Sequence, residues 1–295
     1  MKDHVPSRTA AWVAHARAMG KHLPREVRLI DDPYGAAFGH GMTSLRVADV
    51  LERANVPVLH LPAMLSWVLY MQVRTRVIDD AVDAFVAAGG RQLVILGAGY
   101  DCRALRLRLD GGAVFEVDHP ATQSHKRATL VGLGAQSPAR YVTWNFERKP
   151  MAELPEELAS AGHDATTPTM TIWEGVTMYL TEPAIDASLR AIRAWSCAGS
   201  RLAMSYFAKS RLQKPSLATR AVQAIVAQVG EPWRWGWVPD ELPAYLAARS
   251  WEIVRDIPMS EAARELLPAE LAVHVNNPDR RVALASAPEA IAIAR

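Results

Sequence analysis

Cysteine is almost missing from this chain: 295 residues hold two, Cys102 and Cys197, in unrelated contexts. That spacing excludes a disulfide framework, a zinc cluster and a Cys-x-x-Cys redox pair, so a reducing compartment and no metal site are expected. Net charge is also small. The 33 Lys and Arg stand against 31 Asp and Glu, a formal +2, and are scattered among acids rather than gathered into a stripe. Nucleic acid is therefore not an expected partner. No uninterrupted apolar run approaches the ~18 residues of a membrane span. The opening MKDHVPSRTAAWVAHARAMGKH carries His and Arg inside its apolar stretch, unlike a signal peptide or a spanning helix. The expectation is a cytoplasmic protein with no membrane partner. Internal repeats are absent, and the low-complexity content is confined to the Ala-rich EAIAIAR at the end.

Half of the residues are hydrophobic and 22% are charged, the balance of a globular chain. The length supports one large core with a helical cap. Residues 1–90 alternate helical patterns with breakers such as DDPYG and LPAM and show no convincing strand, which predicts an N-terminal helical cap. From 91 onward the texture changes. RQLVILGAG, AVFEVDHP, RYVTWNF, TMTIWEGV, SRLAMSYF, SWEIVRDI and RRVALASAP are short apolar runs rich in β-branched or aromatic residues, mostly separated by helix-length stretches. Several are apolar on both faces, as in a parallel sheet covered by helices, so residues 91–295 are predicted to form an α/β core. Residues 208–240 interrupt the spacing with a helical patch, AVQAIVAQVG, and the cluster EPWRWGWVPD. Such an insertion is expected to lie over the strand ends as a lid.

In VILGAGYDCRALRL, Gly97 and Gly99 sit where a strand turns into a helix, and glycine there lets backbone approach a ligand closely. The third glycine of a dinucleotide fingerprint would fall at Cys102. The next strand, VFEVD, ends in Glu116 and Asp118, the place where a carboxylate can accept from both hydroxyls of a ribose. Asp118 reads equally as a helix cap ahead of His119 and Pro120. Two cofactor classes compete here. A dinucleotide needs its pyrophosphate over a helix N-terminus, whereas S-adenosylmethionine has no phosphate and needs partners for an α-amino and an α-carboxylate group. Cys102 followed by Arg103 suits the second better, with Asp101 readable as a simple N-cap. Farther on, TMTIWEGVTMYLTEPAI ends a strand in Glu174, placed to meet a cation or a surface arginine, and Thr181 with Pro183 starts a helix.

Together, RTRVIDDAV, VILGAGYDCR, VFEVDHPATQSHKRATL and WEGVTMYLTEPAI resemble the leucine carboxyl methyltransferase family, in its bacterial branch of small-molecule O-methyltransferases similar to the tetracenomycin carboxyl methyltransferase. The resemblance runs from SRTAAWVAHARA to GEPWRWGWVPDELPAYL. It implies a class I methyltransferase, Rossmann-like fold: seven mostly parallel strands with one antiparallel edge strand, helices on both faces, and S-adenosylmethionine at the C-terminal edge. Position by position, it implies Arg76 for the methionine carboxylate, Gly97 and Gly99 for the cofactor loop, and Asp118 for the ribose. Asn145 and Phe146 would flank the adenine and Glu174 would lie near the amino group. Relatives commonly have Asp-Leu at the Asn145 and Phe146 positions; an amide still serves the adenine amino group through its oxygen.

A carboxylate acceptor, with an unperturbed pKa of about 4, is a nucleophile at neutral pH and requires no base, whereas a phenol or an amine calls for one. His119 and His125 belong to a helix start and read as cap or surface residues. No catalytic residue is therefore assigned, and a carboxylate on a small molecule is the expected acceptor. Tyr179 and Tyr206, which follow the fourth and fifth strands, and Trp235 of the WRWGW cluster are candidates for the acceptor pocket. Three alternatives stand beside this reading: a phenol or amine acceptor on the same fold, a nicotinamide-dependent oxidoreductase, and a non-catalytic cofactor-binding module.

Overall fold

The computed structural model describes residues 5–39, 62–107, 109, 111–228 and 231–288; residues 1–4, Leu61 of the LPAM breaker and the 289–295 tail lie outside them. Ser7 caps α1 (Arg8–Ala18), its Oγ accepting from the Ala10 N–H at 3.2 Å. The next described helix is α2 (Pro62–Ala87). Then follow β1 (Gln92–Leu96), the one-turn α3 (Arg103–Arg106), β2 (Ala113–Asp118), α4 (Pro120–Gly132), β3 (Arg140–Thr143) and α5 (Leu154–Ser160). After β4 (Thr169–Trp173), α6 (Glu182–Ala194) and β5 (Arg201–Phe207) come α7 (Lys209–Gln213), α8 (Leu217–Gln228) and α9 (Leu242–Ala247). The chain closes with β6 (Glu252–Pro258), α10 (Met259–Leu266), α11 (Ala269–Ala272) and β7 (Arg280–Ser286). Each of the seven apolar runs is a strand.

The strands form one sheet in the order β3-β2-β1-β4-β5-β7-β6, with β1 to β5 parallel and β7 antiparallel to both neighbours. The antiparallel strand therefore lies inside the sheet, and the edge position expected for it belongs to β6. Composition explains the exchange. β6 carries Glu252, Arg255 and Asp256, charges that keep an open edge from pairing with another chain. β7 brings Val282, Ala283 and Ala285, all buried, to the interior position.

Side chains alternate across the sheet. Leu93 and Ile95 of β1, with Met170, Ile172, Ala203 and Val282, face one helical layer; Val94 and Leu96, with Phe115, Val117, Leu202 and Met204, face the other. The second layer holds Ile185, Leu189 and Ile192 of α6 together with Leu242 and Leu246 of α9. The first layer includes Val68, Leu69, Met71, Ile78 and Val82 of α2. That helix lies within the 1–90 stretch expected to be a cap, yet it packs as a layer of the sheet sandwich.

Strand order reverses between β1 and β4, which opens a crevice at their C-terminal ends. Register decides what meets there. Leu96 stands opposite Val117 and Ile95 opposite Ile172, so Gly97, Asp118 and Glu174 leave their strands in one row. No helix among the described residues is long and apolar enough to cross a membrane.

Candidate active site

A cavity of about 420 Å³ occupies the crevice, lined by Gly97, Gly99, Asp118, Asn145, Phe146, Glu174 and Tyr179 among others. Gly97 turns with φ +72°, and a Cβ there would stand 2.5 Å from Val176 Cγ2, so no side chain fits at this approach to the crevice. The Gly99 N–H donates to the Asp118 carboxylate, which also accepts from the His119 N–H at 2.5 Å. Burial pushes the Asp118 carboxyl up to about 6, while those two N–H groups pull the other way. The cap of α4 is His119 itself, whose Nδ1 accepts from the Ala121 N–H at 3.3 Å. Glu116 lies deeper in β2, buried and paired with Lys126 Nζ at 2.5 Å. Asn145 Oδ1 accepts from the Glu147 N–H at 3.0 Å, so the oxygen assigned to adenine already closes a local turn.

The opposite end of the cavity is built from buried ion pairs. Glu174 accepts from Arg74 Nε at 2.7 Å and from Arg103 Nη1 at 2.6 Å. Burial alone would raise its pKa; Arg103, Arg74 and Arg17 override that and hold the carboxyl well below the usual carboxylate range. Arg103, fully buried, also bonds Asp79 at 2.6 Å and Asp101, and its backbone N–H donates to Asp101 Oδ1 at 2.7 Å. Arg17 pairs with Asp32 at 3.0 Å and donates to the Tyr100 carbonyl at 2.7 Å. Arg17, Arg74, Asp101 and Glu174 all line the cavity.

Arg76 does not. It is 41% exposed and pairs with Asp80 at 2.6 Å, one turn along the outer face of α2. The helical period explains the difference: Arg74 lies three residues after Met71 and four before Ile78, both fully buried, so it shares their inward face. That period was readable in RTRVIDDAV and selects the first arginine over the second.

The outer wall comes from three segments. Ser7 and Thr9 at the start of α1, Tyr179, and Glu231, Pro232 and Arg234 of the insertion line it. Glu231 accepts from Ser7 Oγ at 3.2 Å and from Thr9 Oγ1, and the Ser7 N–H donates to Thr122 Oγ1 at 3.1 Å. Burial, with the charge of Glu231 added, pushes the Tyr179 hydroxyl up to about 12. Two acceptor-pocket candidates lie elsewhere. Tyr206 donates from Oη to Asp256 at 2.7 Å and stacks edge-on against Trp237. Trp235 packs edge-on against Trp237 as well, 6.1 Å between centroids, next to the sheet core. The period-two pattern of WRWGW is real, but it sends Pro232 and Arg234, rather than Trp235 and Trp237, to the cavity. The contributions of Arg17, Ser7, Thr9 and Glu231 had no local signal, because each reaches the site through long-range folding.

Sheet order and crevice define the class: a class I methyltransferase, Rossmann-like fold. Residues 10–193 match the leucine carboxyl methyltransferase family, and the chain belongs to that family. A Streptomyces coelicolor protein whose name places it with S-adenosyl-L-methionine-dependent methyltransferases is 32% identical over 252 residues, covering 83% of this chain and 82% of that one. A similarly named protein of Mycobacterium sp. (strain JLS) is 36% identical over 203 residues, 67% of this chain and 66% of its own. Among solved structures, a DUF574 family protein from Streptomyces avermitilis agrees in fold, with TM-score 0.59 at 18% identity over 92% of this chain and 97% of that one.

Proposed function

We propose that the chain is an S-adenosylmethionine-dependent methyltransferase acting on an oxygen of a small molecule, a carboxylate first, as in the bacterial small-molecule branch of its family. One observation carries the reading: the cavity presents a buried carboxylate, Asp118, at one end and a guanidinium with a carboxylate, Arg74 with Glu174, at the other. A nucleoside diol suits the first and a zwitterionic amino acid the second. Pyrophosphate has no such place. The helix after the glycine turn is a single turn whose Arg103 N–H is already taken by Asp101, and the Asp101 charge repels an anion at that terminus.

The chemistry supplied there would be that of a sulfonium methyl group, transferred to an acceptor oxygen with the C–S electron pair left on sulfur. Gly97 and Gly99 would let the backbone close on the nucleoside, Asp118 would hold the ribose, and Arg74 would hold the amino-acid end. Ser7, Thr9 and Glu231 tie the outer wall shut and exclude water. A carboxylate acceptor has no proton to lose, and this agrees with a Tyr179 hydroxyl that stays protonated at neutral pH. A second reading, a phenolic acceptor deprotonated by Glu231, is favoured by the presence of that carboxylate in the cavity wall.

Calorimetric titration with S-adenosylmethionine and with NAD, followed by incubation with a panel of carboxylic acids and phenols, tests the reading. Binding of S-adenosylmethionine alone, and S-adenosylhomocysteine released only with acids, is expected. NAD binding without S-adenosylmethionine binding would turn the protein into an oxidoreductase candidate, and tight binding with no release across the panel would favour the non-catalytic module.

A further inference from the structure

Among the described residues, two arginines at the C-terminal edge of the sheet form no ion pair, although the charge of Asp279 acts on Arg211 from beyond pairing distance. Arg211 of α7 is 3% exposed, and its Nε is buried with no hydrogen-bond partner. Its Cζ lies 5.0 Å from the Phe207 ring centre and 5.2 Å from that of Trp233. Arg280, the first residue of β7, is the register partner of Phe207. Its Cζ stands 4.2 Å over Tyr70 and 5.7 Å from Trp67. Among the described residues neither guanidinium forms an ion pair, in contrast to Arg17, Arg74, Arg103 and Arg106, each of which has an acid. Burial, and then the charge of Arg280, lowers the Arg211 pKa to about 10; burial lowers that of Arg280 as well.

A buried cation outside an ion pair, as Arg211 is, is costly, and contact with aromatic faces returns only part of the cost. Sites that keep such a charge are candidates for ligand binding. The surroundings place this pair beside the cavity on two sides. Tyr70 lies one turn before Arg74 on α2, and the Arg74 Cζ is 5.4 Å from the same ring. Trp233 stands between Pro232 and Arg234, which line the cavity wall. Flat guanidinium forks match a carboxylate, and the walls of Trp67, Tyr70, Phe207 and Trp233 match a planar ring.

We propose that Arg211 and Arg280, within this aromatic cage, form the anion site for the acceptor and hold the carboxylate of an aromatic acid next to the methyl-transfer cavity. The inference rests on the methyltransferase reading for its role, but its binding test does not. Benzoate and its neutral counterpart benzamide are titrated into the full chain without cofactor, at ionic strength held constant with chloride, and thermal unfolding is followed in parallel. Benzoate should bind and raise Tm, with benzamide about tenfold weaker or more, as expected when charge-assisted hydrogen bonds are lost. Arg211→Met should weaken benzoate by a similar factor while leaving Tm without ligand unchanged or higher, because an uncompensated buried charge has gone. Arg280→Met should behave alike, with Arg280→Lys retaining part of the affinity.

Equal binding of benzoate and benzamide, or no benzoate binding, overturns the proposal. So does an Arg211→Met protein that loses Tm but keeps its benzoate affinity, since that is the signature of a purely structural arginine. Loss of S-adenosylmethionine binding alone, with the benzoate site intact, would instead strike the methyltransferase reading.

Discussion

Arg74 and Arg76 are two residues apart and have opposite fates, one buried against Glu174 and the other on the surface with Asp80. Arg74→Gln should weaken S-adenosylmethionine by about tenfold or more, the range of a lost charged hydrogen bond, while Arg76→Gln should leave calorimetric affinity unchanged. Asp118 adds a pH signature. Its folded pKa of about 6 exceeds the unfolded value of about 3.9, so the folded chain holds this proton more tightly and the contribution of Asp118 to stability declines as pH rises between them. Hydroxyl donors prefer the ionised carboxylate, so cofactor affinity should climb as pH rises through about 6. Asp118→Asn should flatten that climb; a profile identical to the parent would remove Asp118 from the ribose site. Gly97, Gly99, Asp118 and Glu174 were legible because each lies at, or within three residues after, the end of a recognisable strand. Tyr206 and Trp235 misled because an aromatic near a strand end packs as readily into the sheet as into a pocket.

At the scale of elements, the strands were legible from their apolar runs, and the insertion after β5 from the break in spacing. Strand order was not: whether β6 or β7 takes the edge depends on pairings made across the sheet, and only the charges of β6 hint at the outcome. The insertion is seated by Gly236, where a Cβ would stand 2.6 Å from the Phe207 carbonyl oxygen, while Trp237 donates to that same oxygen at 3.2 Å. Gly236→Ala should therefore destabilise the seat by about 1–3 kcal/mol, the usual cost of overpacking. Turnover should fall more than cofactor affinity, because Glu231 and Arg234 line the outer wall and not the stretch proposed for the nucleoside; an equal loss of both would make the segment a structural brace.

For the molecule as a whole, the least legible feature is the ion network centred on Arg103. Its acids, Asp79, Asp101 and Glu174, come from α2, the glycine turn and the end of β4, and no local pattern joins them. Arg103→Met should cost about 3–5 kcal/mol in denaturant unfolding, since it leaves buried carboxylates uncompensated. The depressed pKa of Glu174 means that its stabilisation is present above the unfolded value and is lost only as pH falls through the lower folded one. Acid unfolding of the parent should thus lag behind that of the Arg103 variant.

The tie of Ser7 and Thr9 to Glu231 and Thr122 has a practical side. Because β7 runs against its neighbours, Arg280 stands at the C-terminal edge of the parallel strands and Ser286 at the opposite edge. A fluorescent or purification handle fused directly ahead of Ser7 would crowd these hydrogen bonds, whereas one fused directly after Ser286 would start from the opposite edge of the sheet and leave them untouched.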